Sequence, residues 1–275
     1  MTKTLYISDL DGTLLTPNQT LSSYSAGVIN SMVAGGINFT VATARNLLTV
    51  EKILADVKLP VPIALMNGVL LYDMARRRYV KVHKIPVEAA RRAFDIFRTF
   101  DITVFMYEMD GNDFFTYHET FGIVPPGDVV AHRVARYENA PHPHQSTFAN
   151  AAFDNVVYFT LQDTEEKLRP IYDALSAEEA LQRTFYQDVY HPGLWFLEIH
   201  SGQASKYKTV EFLRKTYGFD SVVGFGDNLN DLPLFQACDT KIAVSNAHPT
   251  LKTAADFICQ SNENDGVVKW MLSNI

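Results

Sequence analysis

The chain has 275 residues, 47% of them hydrophobic, enough for a substantial core in one large domain or two. Its 31 acidic residues against 24 basic ones leave a net charge of −7, which argues against a nucleic-acid backbone or an anionic membrane as the main partner, with a local basic pocket still allowed. No segment approaches the ~18 uninterrupted apolar residues of a membrane span, the start "MTKTLYISDLDG" lacks the apolar stretch and cleavage site of a signal peptide, and Cys238 and Cys259 form no CxxC pair, so a cytoplasmic protein without redox chemistry is expected.

Residues 4–10, "TLYISDL", read as a strand buried on both faces and closed by Asp-Gly. "LSSYSAGVINSMVAGG" starts with a serine cap and stops at Gly35-Gly36, which predicts a helix. A strand over 37–43, a helix "NLLTVEKILADVKL" over 46–59 and a strand "PIALMNG" over 62–68 follow, and this alternation predicts a parallel sheet covered on both faces. From residue 69 the rhythm changes. "VLLYD" and "YVKVHKI" read as a hairpin with Arg76-Arg77-Arg78 in its solvated turn, Pro86 introduces a helix, and Asp110-Gly111-Asn112-Asp113 marks a second hairpin. Residues 121–150 read as loops, and His142 and His144 of "PHPH" have no acidic or cysteine companions for a metal site. Strand "NVVYFTLQ", helix "TEEKLRPIYDAL" and the aromatic "RTFYQDVYHPGLWFLEIH" complete this region. From Ser205 the strand and helix alternation returns, through "KYKTVEFLRKTYG" and "SVVGFGD" to a closing helix "DGVVKWMLSNI". The expected architecture is a Rossmann-like α/β core of residues 1–82 and 198–275, interrupted by an inserted α+β module over 83–197.

In parallel sheets ligands bind beyond the carboxyl ends of the strands. Four such ends carry polar groups: Asp9 and Asp11, Thr43 and Arg45, Asn67 and Gly68, and Asp227 with Asn230 and Asp231. A lone "DLDG" is more often just a turn with an aspartate cap than a catalytic pair. Acidic residues brought together repel unless a cation lies among them, and oxygen-only ligands suit Mg2+. An ionised Asp9 screened by that ion can attack the phosphorus of a phosphomonoester. Asp11 can give a proton to the departing alcohol and later take one from water. Gly12 permits the tight turn after the strand, and Thr43 and Lys206 suit the equatorial phosphoryl oxygens.

"DLDGT", the Thr43 of "VATAR", the lysine of "SGQASKYKTVEFL", and "GDNLND" followed by "IAVSNAHPTLKTAADFICQSNENDGV" together resemble the four motifs of the haloacid dehalogenase superfamily, the last stretch its Cof-type class IIB phosphatases in particular. The resemblance implies Asp9 as nucleophile and Mg2+ ligand. It implies that Asp11 gives its backbone carbonyl to Mg2+ and its side chain to acid/base work, that Asp227 is the remaining protein ligand, and that Asp231 supports the metal site. The resemblance further implies that Thr43, Lys206 and Asn230 hold the phosphoryl group and that the insertion acts as a cap that selects the leaving group. Two departures bear on substrate shape. Ala44 stands where relatives often have glycine before Arg45, and Tyr207 follows the lysine.

Other readings stand beside these. Arg45 either pairs with a surface acid or contacts substrate or the insertion; Asn67-Gly68 either turns the chain or lines the site; Asp231 also suits a helix cap. The leading expectation is a Mg2+-dependent phosphatase for a small phosphorylated metabolite, a sugar phosphate or similar cofactor ester, working as a monomer or weak homo-oligomer. A phosphomutase, a phospho-acceptor signalling receiver and a catalytically silent binding protein are the alternatives.

Overall fold

The computed structural model describes residues 2–122, 135, 143–145, 147–148, 151–188 and 191–275. Part of the "PHPH" stretch, Pro141 and His142, lies outside these, as does much of the expected loop over 121–150. The chain divides into two compact units, Met1–Lys81 with Ala204–Ile275, and Val82–Gln203.

The apolar run after Lys3 forms β1 (Thr4–Ser8), and the expected strand over 4–10 stops there because Leu10–Leu14 make a wide turn, closed by the Leu15 N–H donating to the Leu10 carbonyl at 2.8 Å. Helix α1 (Ser23–Ala34) starts where the Ser22 hydroxyl accepts the Ser25 N–H at 2.9 Å, and stops at Gly35. β2 (Asn38–Val41) and α2 (Leu47–Ile53) follow. α2 is shorter than the predicted 46–59 because Asn30 takes the chain beyond Leu54. Its amide donates to the Asp56 carbonyl at 2.6 Å and its oxygen accepts the Lys58 N–H at 2.8 Å, bonds that compete with helix continuation. β3 (Ile63–Leu65), β4 (Leu70–Asp73) and β5 (Arg78–Val82) form a small sheet. The strand expected over 62–68 ends early because Met66, Asn67 and Gly68 all take positive φ.

The second unit contains α3 (Val87–Phe97), β6 (Ile102–Asp110), β7 (Asp113–Phe121), β8 (His144–Gln145), β9 (Val156–Asp163), α4 (Glu165–Ala174), β10 (Leu181–Gln187) and β11 (Trp195–Ser201). Its strands pair in the order β10-β11-β9-β6-β7-β8, antiparallel except between β7 and β8. Val104, Leu161 and Leu197 face one another across three strands and pack with Ala89, Ala93 and Phe97 of α3 and with Leu168 and Ile171 of α4. β11 runs through residue 197, and its pairing with β9 carries the return point from the expected 198 to Ala204.

The alternate residues of these strands are also buried, and they include His200. Its ring lies 5.3 Å from that of Tyr158 in a stacked pair, with Nδ1 3.2 Å from the Ser201 carbonyl. Burial pushes the imidazole down to about 4. A base held lower when folded contributes stability above its ordinary pKa of 6.5 and loses it as pH falls toward 4, on the order of 3 kcal/mol across that window. We expect urea unfolding to show this acid loss in the wild type and much less of it in His200→Asn; parallel pH dependence in the two would remove His200 as its source.

The chain then returns with α5 (Lys206–Tyr217), β12 (Ser221–Gly226), α6 (Leu232–Ala237), β13 (Thr240–Val244), α7 (Pro249–Ala254), β14 (Phe257–Cys259) and α8 (Gly266–Asn274). The first unit's main sheet is wholly parallel in the order β14-β13-β12-β1-β2, and a parallel bridge between Ala42 and Ala64 brings β3 beside β2. Leu5, Ile7, Val222 and Phe225 are buried, as a two-sided parallel sheet requires. The chain runs from β1 to β2 and β3 on one side, then returns as β12 on the other. That reversal opens a crevice at the carboxyl ends of β1 and β12. Among the described residues no helix is long and apolar enough to cross a membrane.

Candidate active site

Strand pairing builds the site. Ser8 lies opposite Phe225, and the Asp9 N–H donates to the Phe225 carbonyl at 3.0 Å, so Asp9 and Asp227 leave adjacent strand ends. Gly12 passes close to Asp227 at φ 74, where a β-carbon would stand 2.4 Å from the Asp227 Oδ2; glycine alone fits. The Thr13 hydroxyl donates to Asp227 Oδ1 at 2.8 Å, and the Asn246 amide donates to the Gly12 carbonyl at 2.7 Å. Neither Thr13 nor Asn246 stood out by residue type. Both lie inside the recognised motif stretches, which was the available signal.

Asp231 is fully buried at the turn after β12. Its Oδ2 accepts the backbone N–H groups of Asp227 and Asn228 at 3.0 and 3.2 Å, while its Oδ1 accepts from the Lys206 ammonium at 2.6 Å. It is therefore a cap and a partner of the lysine at once. Lys206, 1% exposed, also donates to Asp9 Oδ1 at 2.6 Å. The ammonium of Lys206, a residue expected at the phosphoryl group, thus bridges two carboxylates.

The electrostatics follow from burial. Asp9 is pushed up to about 8 by loss of water, with Lys206 working against the rise and Asp231 and Asp11 adding to it. Asp227 is raised well above the carboxylate range by burial and then by Asp231 and Asp9, with the Thr13 hydrogen bond opposing. Burial disfavours the charge on Lys206, but Asp231 and Asp9 outweigh it and hold the ammonium above the ordinary lysine range. Asp9, Asp227 and Asp231 each offer an oxygen, all within 4.8 Å of one another. Three buried carboxyl groups share one ammonium, so without a further cation Asp9 and Asp227 resist ionisation, and an all-oxygen donor set of this kind fits a hard divalent cation such as Mg2+.

Beside this cluster lies the end of β2. The buried Thr43 accepts the Arg45 N–H on Oγ1 at 3.1 Å and gives its carbonyl to the Asn67 N–H at 2.9 Å. Arg45 forks onto Asp11, Nε to Oδ2 at 2.6 Å and the terminal nitrogen to Oδ1 at 2.5 Å, with Gln19 Oε1 at 3.0 Å. The acid that Arg45 meets is thus Asp11, the predicted proton carrier. Ala44 is half-buried between Thr43 and Arg45, Asn67 is buried at φ 56, and Asn230 is half-buried in the same turn as Asp231.

Comparison with known proteins gives a consistent result. The chain is 26% identical to the pyridoxal phosphate phosphatase YbhA of Escherichia coli, with the whole of both chains aligned. It is 24% identical to the 5-amino-6-(5-phospho-D-ribitylamino)uracil phosphatase YwtE of Bacillus subtilis, over 94% of this chain and 93% of the relative. Its fold matches SMU.1108c from Streptococcus mutans with a TM-score of 0.79 at 18% identity, over 99% and 98% of the two chains. The profile of the haloacid dehalogenase-like hydrolases matches residues 6–271, nearly the full length, and the chain belongs to that family.

Proposed function

We propose that the protein is a Mg2+-dependent phosphatase of small phosphomonoesters, sugar phosphates or similar cytoplasmic cofactor esters, acting through an aspartyl-phosphate. The observation that carries this reading is the buried cluster of Asp9, Asp227, Asp231 and Lys206 at the sheet's crevice. Relatives named for pyridoxal phosphate and for a phosphoribitylamino-uracil support a small phosphorylated substrate.

Asp9, Asp227 and the Asp11 backbone carbonyl would hold Mg2+, with Asp231 supporting them through Lys206 and the backbone of its own turn. Bound there, the ion offsets the charge of the carboxylates and of the phosphoryl group. Asp9 attacks phosphorus: a new O–P bond forms, the ester P–O bond breaks, and the departing oxygen takes a proton from Asp11. Water then attacks the same phosphorus, loses a proton to Asp11, and releases phosphate with Asp9 restored. Proton transfer requires Arg45 to release one of the two Asp11 oxygens it occupies. Thr43, Lys206 and Asn230 hold the equatorial oxygens. The inserted unit selects the leaving group.

The test is a panel of phosphorylated metabolites assayed with MgCl2 and with EDTA. Phosphate release from at least one small ester, lost in EDTA, is the expected result, and none across the panel sinks the reading. A second measurement needs no substrate. Folded Asp9 holds its proton up to about 8 against 3.8 ordinarily, so its contribution to metal-free stability falls as pH climbs between those values. Mg2+ should therefore raise the melting temperature more at about pH 8 than at about pH 6.

A further inference from the structure

Met66, Asn67 and Gly68 follow one another at φ 49, 56 and 91. Three consecutive left-handed residues, two of them with side chains, are disfavoured and persist only where the surroundings impose them, commonly at functional sites. On one side the turn is tied to the loop that carries Thr43 and Arg45. The Met66 N–H donates to the Arg45 carbonyl at 3.0 Å and the Asn67 N–H to the Thr43 carbonyl at 2.9 Å.

On its other side the turn abuts the start of α5. A β-carbon on Gly68 would stand 2.6 Å from the Ser205 carbonyl oxygen, 2.9 Å from its carbonyl carbon and 2.5 Å from Thr209 Oγ1. Ser205 caps α5, its hydroxyl accepting the Lys208 N–H at 3.0 Å, and it directly precedes Lys206. The same three residues therefore touch both the Thr43 loop and the backbone that launches Lys206 toward Asp9 and Asp231.

We propose that the turn Met66–Gly68 is a positioning element that seats α5 against the Thr43 loop, with Gly68 setting the approach at which Lys206 bridges Asp9 and Asp231. Its kinetic consequence rests on the phosphatase reading; its geometry does not. A side chain at position 68 meets backbone, which cannot swing aside. Clearing the Ser205 carbonyl requires a shift of roughly 0.5 Å or more, the tolerance within which functional groups must be held.

Gly218 supplies the control. It ends the same helix at φ 68, yet a β-carbon there meets nothing within 4 Å, so Gly218→Ala carries backbone strain without the push. With p-nitrophenyl phosphate and MgCl2, at a temperature where circular dichroism shows each variant folded, Gly68→Ala should lower kcat by roughly tenfold to a hundredfold with little change in KM. Gly218→Ala should keep the wild-type kcat. A crystal structure of Gly68→Ala should show Lys206 Nζ outside hydrogen-bond distance of Asp9 or Asp231. Should Gly68→Ala not fold, Gly68→Ala/Thr209→Ala removes the Oγ1 contact and keeps the Ser205 one, and it should show the same loss against Thr209→Ala alone. A folded variant with its reference's kcat, or with Lys206 still bridging both carboxylates, overturns the proposal. If the wild type itself releases no nitrophenol, kcat is read with the panel ester it hydrolyses; if it hydrolyses none, the phosphatase reading fails, and the crystal structure alone decides the positioning role.

Discussion

Asp9→Asn is expected to lower turnover of the preferred phosphomonoester by at least about a thousandfold while leaving the protein folded. The amide has nearly the shape of the carboxylate but no anionic oxygen to attack phosphorus. Folding should tolerate it because burial already disfavours the charge at this position, pushing Asp9 up to about 8, and because Lys206 keeps Asp231 as a partner at 2.6 Å. Steady-state turnover measures the loss. Acid quenching with labelled substrate measures its cause, with phosphate retained covalently by the wild type and absent from the variant. A variant that turns over near the wild-type rate would place the nucleophile elsewhere.

Lys206→Met is expected to destabilise the metal-free protein by about 3–5 kcal/mol, the usual cost of removing one partner from a buried ionic cluster, and to lower the melting temperature by roughly 10 °C. Methionine replaces the length of the side chain and none of its charge, leaving Asp9 and Asp231, 4% and 0% exposed, facing one another without a cation. The loss should shrink as pH falls, because Asp9 without the ammonium keeps its proton more firmly and escapes part of the repulsion. Melting curves in EDTA at about pH 6 and about pH 9 separate this from lost packing. A small, pH-independent change would mean that the lysine's stem, and not its charge, holds the site together.

Much of the fold is written locally in the chain. The serine before α1, Gly35 after it, and the short apolar runs that became β1, β2 and β12 state their structure within a few residues, and so does the return of strand and helix alternation after Ser205. Element ends are less local. α2 stops at Ile53 because Asn30, far back in α1, captures the backbone at Asp56 and Lys58. That Asp9, Asp227, Asp231 and Lys206 come together was legible from motif spacing, since they occupy strand ends and a helix start. The pairings inside the site were not. Arg45 onto Asp11, Lys206 across Asp9 and Asp231, and Thr13 onto Asp227 each join separate motifs, and residue type alone cannot choose among several acids within reach of one cation.

The parallel pairing of β1 with β12 has a consequence for synthesis on the ribosome. Thr13 and Asp227 are 214 positions apart, and Lys206 is 197 from Asp9. The inserted unit, with its own apolar cluster, has all its residues available before either pair can form. Domains tend to fold in order of emergence, so a nascent chain carries a finished insertion on an unfinished sheet, its first aspartates waiting beside an empty strand position. The acidic cluster is complete only when the segment from Lys206 to Asp231 joins the edge of β1, so a partly translated chain lacks it.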